Sequence, residues 1–316
     1  MKNPGTPALL RSRYLRLSLT NQCNFNCYYC HNEGQDKSRK PSLLSEDDIV
    51  WICGTASKRG FRKFKLTGGE PTLRKDLGSL LIRLRELELD DLSIITNGSR
   101  LAETLPDLKI AGLPRLNVTL NTINTKKFRR YVHRDERKLY RVLAGIDMAI
   151  ESGYTDMKLN FVYHGPQSLD DFRDICHYAS DRNLIVVMLP MLMINPKHDD
   201  LETSLSQLHV MCEALGVRRK ELITDNEGLQ KQLITLKSGA RILLRLDELG
   251  MRYPYKSCEL CSDRNECREG IFPVRISADG YLIPCLAGGR NHVDLKKIIK
   301  ERNESVLMRA IGLTEN

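Results

Sequence analysis

The chain has 316 residues, longer than one minimal domain needs and suited to a large α/β barrel or to a core domain with an appendage. Hydrophobic residues make up 41% and charged residues 28%, ordinary globular usage that excludes general disorder. Forty-nine Lys and Arg against 40 Asp and Glu leave a net +9, which favours anionic partners, although a solvated basic surface meets the same count.

Residues 1–12 read as a loose leader without the apolar stretch of a signal peptide. The longest apolar run, Leu184–Ile194, is too short for a membrane span and contains Pro190. A cytoplasmic chain is expected, with no membrane partner. Strand-length apolar runs then alternate with helical patterns: Tyr14–Leu19, Phe64–Thr67, Leu92–Thr96, Leu116–Leu120, Met157–Tyr163 and Ile185–Leu192, each suited to burial on both faces. Ser45 before Glu46, Asp47 and Asp48 is an N-cap signal, and Gly60 closes that helix. Apolar stripes over Arg74–Leu89, Leu139–Glu151 and Leu169–Arg182 mark three more helices. About six strand–helix repeats predict parallel βα units, an α/β partial (β/α)6 TIM-like barrel or an open doubly wound sheet, with ligands at the C-terminal ends of the strands.

After Pro196 the pattern breaks. Residues 197–232 read as polar and mainly helical. Leu233–Leu236 and Ile242–Leu246 flank a turn and predict a hairpin. The division expected is a leader at 1–12, a core at 13–196, a helical connector at 197–219 and a small α+β extension carrying a cysteine cluster at 220–316.

Ten cysteines in a reducing compartment point to metal ligands or catalytic thiols more than to disulfides. Cys23-Asn-Phe-Asn-Cys27-Tyr-Tyr-Cys30 packs three thiols just past the first strand. Three close thiolates leave a structural zinc site without its fourth ligand, but they can hold three irons of a [4Fe–4S] cluster and leave the fourth open. A zinc site and reduced structural thiols are the alternatives. One βα unit later, Thr67-Gly68-Gly69-Glu70-Pro71 ends the second strand.

The C-x3-C-x2-C loop with Tyr29 before its last cysteine, followed by GGEP, resembles the radical S-adenosylmethionine (radical SAM) superfamily. That resemblance implies a [4Fe–4S] cluster on Cys23, Cys27 and Cys30 whose open iron chelates SAM. It also implies an electron donor such as flavodoxin or ferredoxin, and a 5′-deoxyadenosyl radical that abstracts a substrate hydrogen. Tyr29, Gly68, Gly69, Glu70, Thr96, Thr119 and Asn160 are the implied SAM contacts, with Glu70 meeting the ammonium. Thr96 and Thr119 read equally well as a turn residue and a β-branched strand residue.

Within the superfamily, Leu15–Phe25, Lys63–Leu77 and Lys158–Asn160 resemble the GTP 3′,8-cyclase group of molybdenum-cofactor biosynthesis. Arg16, Lys63, Lys65 and Lys158 stand where that group holds a triphosphate, and Arg275 is a further expected substrate contact. Solvated cations at strand ends are the alternative. Cys258-x2-Cys261-x5-Cys267-x17-Cys285, with Val274–Leu286 leading into its last cysteine, resembles the twitch or SPASM extension that carries a second, auxiliary [4Fe–4S] cluster. Structural zinc also suits four thiolates. Cys53, Cys176 and Cys212 have no partner spacing and read as buried apolar residues. Three departures from the cyclase pattern stand out: the inserted Cys267, Pro273 in place of an Arg, and no Gly-Gly tail in Ile311–Asn316. They favour a radical SAM enzyme acting on another small anionic, nucleotide-like substrate over GTP 3′,8-cyclisation itself. A peptide-modifying relative is a second reading. A zinc-containing nucleic-acid-binding protein, gripping phosphates with Lys58–Lys65 and stacking bases on its phenylalanines, is a remote third.

Overall fold

The computed structural model describes residues 14–35, 42–113, 115–154, 156–191, 205–224, 230–245, 273–284, 286 and 292–311. Six strands pair in parallel in chain order: β1 (Tyr14–Ser18), β2 (Lys63–Thr67), β3 (Asp91–Thr96), β4 (Arg115–Thr119), β5 (Met157–Tyr163) and β6 (Ile185–Pro190). Helices α1 (Glu46–Lys58), α2 (Leu77–Arg85), α3 (Leu101–Ile110), α4 (Thr125–Val132), α5 (Arg137–Glu151) and α6 (Leu169–Ser180) join them. These are the βα units of the expected partial barrel. Ser45 caps α1 as read: its Oγ accepts from Asp48 N at 3.1 Å, and Asp48 returns a carboxylate oxygen to Ser45 N at 3.0 Å.

The strands are not buried alike on both faces. Leu15, Leu17, Phe64, Leu66, Leu92, Ile94, Leu116, Val118, Leu159 and Phe161 belong to the apolar core under the helices. Their neighbours Arg16, Lys65, Ser93, Asn117 and Asn160 point to the opposite face, because successive side chains alternate. The polar face is the inside of the barrel.

Helix α7 (Leu205–Ala214) is followed by β7 (Val217–Thr224), β8 (Gln230–Leu236) and β9 (Arg241–Arg245). The expected hairpin is β8–β9, but residues 217–224 and 230–232 are strand where helix was expected. The charged segment Val217-Arg-Arg-Lys-Glu-Leu-Ile-Thr224 is an edge strand, where charge is tolerated because one side meets solvent. The sequence also gave no sign that β9 runs parallel beside β6, or that β10 (Val274–Ile276) runs parallel beside β1. With β11 (Tyr281–Ile283) and β12 (Val293–Asp294), the strands form one sheet ordered β12-β11-β10-β1-β2-β3-β4-β5-β6-β9-β8-β7. Helices α8 (Lys296–Lys300) and α9 (Glu304–Ala310) follow. The leader, the boundary at 196, and Cys258, Cys261, Cys267 and Cys285 lie outside the described residues. Among the described residues no helix is long and apolar enough to cross a membrane.

Candidate active site

The inward faces of β1–β6, joined by residues of β8, β9 and β10 and by the loop after β1, enclose a cavity of about 390 Å3, within the ~300–1,000 Å3 of small-molecule sites. Cys23, Cys27 and Cys30 line it, and so do Tyr29, Gly68, Gly69, Glu70, Thr96, Thr119 and Asn160. All three cysteines are free thiols. Cys23 Sγ accepts from Phe25 N at 3.4 Å and from Asn97 Nδ2 at 3.9 Å; Cys30 Sγ accepts from Asn32 N at 3.3 Å. Burial pushes the Cys27 thiol up to about 12, and neighbouring Cys30 and Cys23 push the same way, against a bond from the Tyr29 hydroxyl. Cys23 is raised for the same leading reason, burial.

Burial at Cys27 and Cys23, with neighbouring thiols pushing the same way, favours protons or a cation over bare thiolates there. Among the described residues, no group of three or more His, Cys, Asp or Glu converges on one metal ion. A cubane asks for something else: one sulfur at each of three irons, with N–H donors to the sulfurs. The donor set fits that group.

The GGEP turn is bound to the cysteine loop along the backbone. Leu19 N donates to Thr67 O at 2.8 Å, Gly69 N to Thr20 O at 2.8 Å, and Glu70 N to Gln22 O at 2.7 Å. A Cβ on Gly68 would lie 2.3 Å from Thr20 O, and one on Gly69 2.0 Å from Gln22 O. The glycines therefore admit the loop backbone itself, while both also line the cavity. Glu70 is buried and already engaged. Its Oε1 accepts from Thr72 N at 3.1 Å, Thr72 Oγ1 at 2.6 Å and Thr96 Oγ1 at 2.6 Å, while Oε2 accepts from Asn97 N at 2.6 Å. Burial raises the Glu70 carboxyl, and these donors oppose it. Thr96 thus both lines the cavity and holds the Glu70 carboxylate.

Below this rim the inward face is cationic. Arg275 on β10, Arg16 on β1, Lys65 on β2 and Arg115 on β4 fall along one cross-strand row that passes through Ser93 on β3. Lys63, Lys158 and Lys231 also line the cavity. Lys63 Nζ and Lys65 Nζ lie 5.1 and 5.7 Å from the centre of the Tyr14 ring. Burial depresses Lys65, helped by Arg16, Lys63 and Arg115. It depresses Lys158 too, with Arg115 and Lys231, against Asp156 at 3.5 Å. Tyr14 is lowered although its burial would raise it, because Lys65, Arg16 and Lys63 surround it. An acid and two bases shifted downward together mark a positive potential.

Arg16 lines the cavity as well, and it is held in an ion pair. Its Nε donates to Glu33 Oε2 at 2.7 Å and a second guanidinium nitrogen to Oε1, and Thr67 Oγ1 donates to the same Glu33 Oε1 at 3.1 Å. Three residues past Cys30 and outside every motif, Glu33 carried no sequence signal, nor did Asn97, Asn117, Arg115 or Lys231. The run Lys58–Lys65 offers no base-stacking surface, because Phe61 and Phe64 are each 1% exposed and Lys63 and Lys65 face the cavity.

On the other flank, Tyr28 packs against Tyr131 (5.6 Å between ring centres) and His164 (5.5 Å). Asp171, fully buried, accepts from Tyr131 Oη at 2.8 Å, Lys127 Nζ at 3.1 Å and Thr122 Oγ1 at 2.6 Å. That carboxylate anchors α4 to the barrel.

Residues 17–179 match the Radical SAM superfamily. The GTP 3′,8-cyclase of Ectopseudomonas mendocina is 33% identical over 313 residues, 96% of this chain and 89% of that protein. The probable GTP 3′,8-cyclase of Methanococcus vannielii is 31% identical over 294 residues, 92% and 90% of the two chains. Among solved structures, Streptococcus suis SuiB bound to precursor peptide SuiA superposes with a TM-score of 0.65 at 19% identity, covering 93% of this chain, which spans 64% of SuiB. Native anSMEcpe with bound AdoMet gives 0.56 at 14% identity, over 92% of this chain and 82% of that one. These two share the fold. With the sequence match extending across the cysteine loop and the GGEP turn, the chain belongs to the radical SAM superfamily, in the group of the GTP 3′,8-cyclases, and is an enzyme of [4Fe–4S] and S-adenosylmethionine chemistry.

Proposed function

We propose that Cys23, Cys27 and Cys30 each ligate one iron, and that the cavity beneath them takes a small polyanionic, nucleotide-like substrate. When bound, the cluster and SAM supply a 5′-deoxyadenosyl radical that abstracts a substrate hydrogen. Glu70 Oε2 accepts one N–H from the described residues and keeps acceptor capacity for the SAM ammonium. Asn160 and Thr119 line the same wall. The observation that carries the substrate class is the cationic lining of the cavity, where Arg16, Lys63 and Arg115 disfavour the charge of Lys65, and Arg115 and Lys231 that of Lys158, so that a bound anion would relieve the repulsion. Lys63 and Lys158 lie near the starts of β2 and β5, so a phosphate chain held by them directs its organic end up toward the cysteines. GTP is the first substrate to test, because the relatives are named for it.

The test is anaerobic reconstitution with dithionite and SAM in the presence of GTP, ATP or GMP. Triphosphates are expected to accelerate 5′-deoxyadenosine release and to yield a rearranged nucleotide. No 5′-deoxyadenosine under any condition would overturn the reading. For Cys258, Cys261, Cys267 and Cys285 we propose an auxiliary [4Fe–4S] cluster in a twitch-like extension. About eight irons per chain, falling to about four when these four are changed to Ser, is the expected result. Zinc in their place would refute it. Flavodoxin or ferredoxin is the proposed electron donor.

A further inference from the structure

The segment 126–141 holds eight basic residues, Lys126, Lys127, Arg129, Arg130, Arg134, Arg137, Lys138 and Arg141, against Asp135 and Glu136. That is a net +6 in sixteen residues of a chain whose total is +9. Lys126, Arg129, Arg130, Arg134, Arg137 and Arg141 are exposed, so the charge is a surface formed by α4, the following turn and the first turns of α5.

This surface is bonded to the cysteine loop. Asn26 N and Tyr28 N, the amides on either side of Cys27, donate to Val132 O at 3.0 Å and Tyr131 O at 3.1 Å. Arg134 Nε donates to Asn24 O at 3.0 Å. Lys138 Nζ stands 5.8 Å from the centre of the Phe25 ring, and that ring packs edge-on against Phe128 at 5.6 Å. The last turn of α4 is thus the protein surface lying directly behind Cys27.

We propose that this basic face is the docking surface for an acidic one-electron carrier protein that delivers the electron the cluster needs. The proposal rests on the cluster assignment above. It names no new chemistry: the carrier loses one electron and the cluster gains it. Charge complementarity favours such a carrier, since opposed potentials raise association rates and orient the encounter. The pattern also discriminates against nucleic acid. Asp135 and Glu136 lie within the shallow concavity lined by Arg129, His133, Arg134 and Arg137. Asp135 pairs there with Arg137, an arrangement of mixed charge that suits a protein face better than a continuous phosphate backbone.

The experiment uses full-length protein, reconstituted anaerobically, and oxidised flavodoxin as the probe, with binding followed by flavin fluorescence. Two variants carry the test: Lys126→Glu/Arg129→Glu/Arg130→Glu, and the milder Arg129→Gln/Arg130→Gln. Wild-type affinity should fall as salt rises, because screening shortens to about 8 Å at physiological ionic strength. The charge reversal should weaken binding roughly tenfold or more, and the glutamine pair should fall between. Dithionite-driven 5′-deoxyadenosine formation should stay at the wild-type level in both variants. Flavodoxin affinity unchanged in both variants, or a duplex RNA that binds this face where flavodoxin does not, would overturn the proposal. Absent dithionite-driven cleavage in the wild-type protein would instead strike the cluster assignment, while the binding measurement still judges the surface.

Discussion

Arg16 on β1 grips both carboxylate oxygens of Glu33, three residues beyond Cys30, so the strand that begins the barrel is tied by charge to the end of the cysteine loop. Burial alone would raise the Glu33 carboxyl, but Arg16, His31 and Arg275 hold it at about 2 against an ordinary 4.5. The Arg16 and Glu33 side chains are 19% and 9% exposed, so little solvent screening applies.

A carboxyl depressed in the folded state adds stability that is present above its unfolded value and lost as pH falls through the folded value. The pair is therefore intact from pH 5 to 8, and its contribution, about 3 kcal/mol, decays between pH 4.5 and 2. Thermal melts of the apo-protein should show this. Glu33→Gln should lower the melting temperature at pH 7 and remove that part of the acid dependence. A Glu33→Gln melt equal to wild type at pH 7 would show that the pair adds nothing.

Gly69→Ala should be far more damaging than a glycine change elsewhere, because the added carbon meets Gln22 O at 2.0 Å and backbone cannot swing aside. Gly153 is the control: its φ is +94°, but a Cβ there meets nothing within 4 Å. Alanine at Gly153 should cost only the conformational strain, about 1–2 kcal/mol. At Gly69 the turn must part from the cysteine loop, and iron content after reconstitution should collapse. Equal iron incorporation in the two variants would refute the close-packing role.

The six parallel strands were legible because each is a short apolar run closed by turn residues. What the apolar runs did not show was that the inward face of β1, β2, β4 and the start of β5 is largely polar, while Ile95, Val162, Val187 and Leu189 line the same cavity. Leu15-Arg16-Leu17 and Phe64-Lys65-Leu66 alternate plainly, yet an α/β core is expected to be apolar on both faces. Helix α4 was missed because only Phe128 and Val132 of it are buried, too few for a stripe. The cysteine loop, GGEP and the basic strand positions were readable as motifs. Glu33, Asn97 and Asp171 were not, since their roles exist only once distant strands and loops come together.

Asp171→Asn should weaken the whole flank of the cysteine loop. The carboxylate takes three donors in a fully buried position, and an amide there would set an N–H against at least one of them. A loss of about 2–3 kcal/mol is expected, against about 1 kcal/mol for Tyr131→Phe, which removes one hydrogen bond. Since Tyr131 O and Val132 O hold the amides around Cys27, iron retention should fall in Asp171→Asn before the secondary structure does. Iron release and circular dichroism followed together during heating would decide it; simultaneous loss in variant and wild type alike would count against the anchor.

Lys65→Met should make the empty protein more stable and the liganded protein less so. Burial and the surrounding Arg16, Lys63 and Arg115 lower Lys65, which means that its charged form is disfavoured in the fold. For a base depressed this way the cost is fully present at neutral pH and fades only as pH rises through the folded value toward 10.5, so removing the charge stabilises the empty protein at pH 7. An anion reverses the sign, because it needs that cation. Added inorganic triphosphate should therefore raise the wild-type melting temperature, through binding to the native state alone, and raise that of Lys65→Met much less. If triphosphate stabilises both proteins equally, Lys65 takes no part in holding the anion, and the substrate's phosphates lie elsewhere in the barrel.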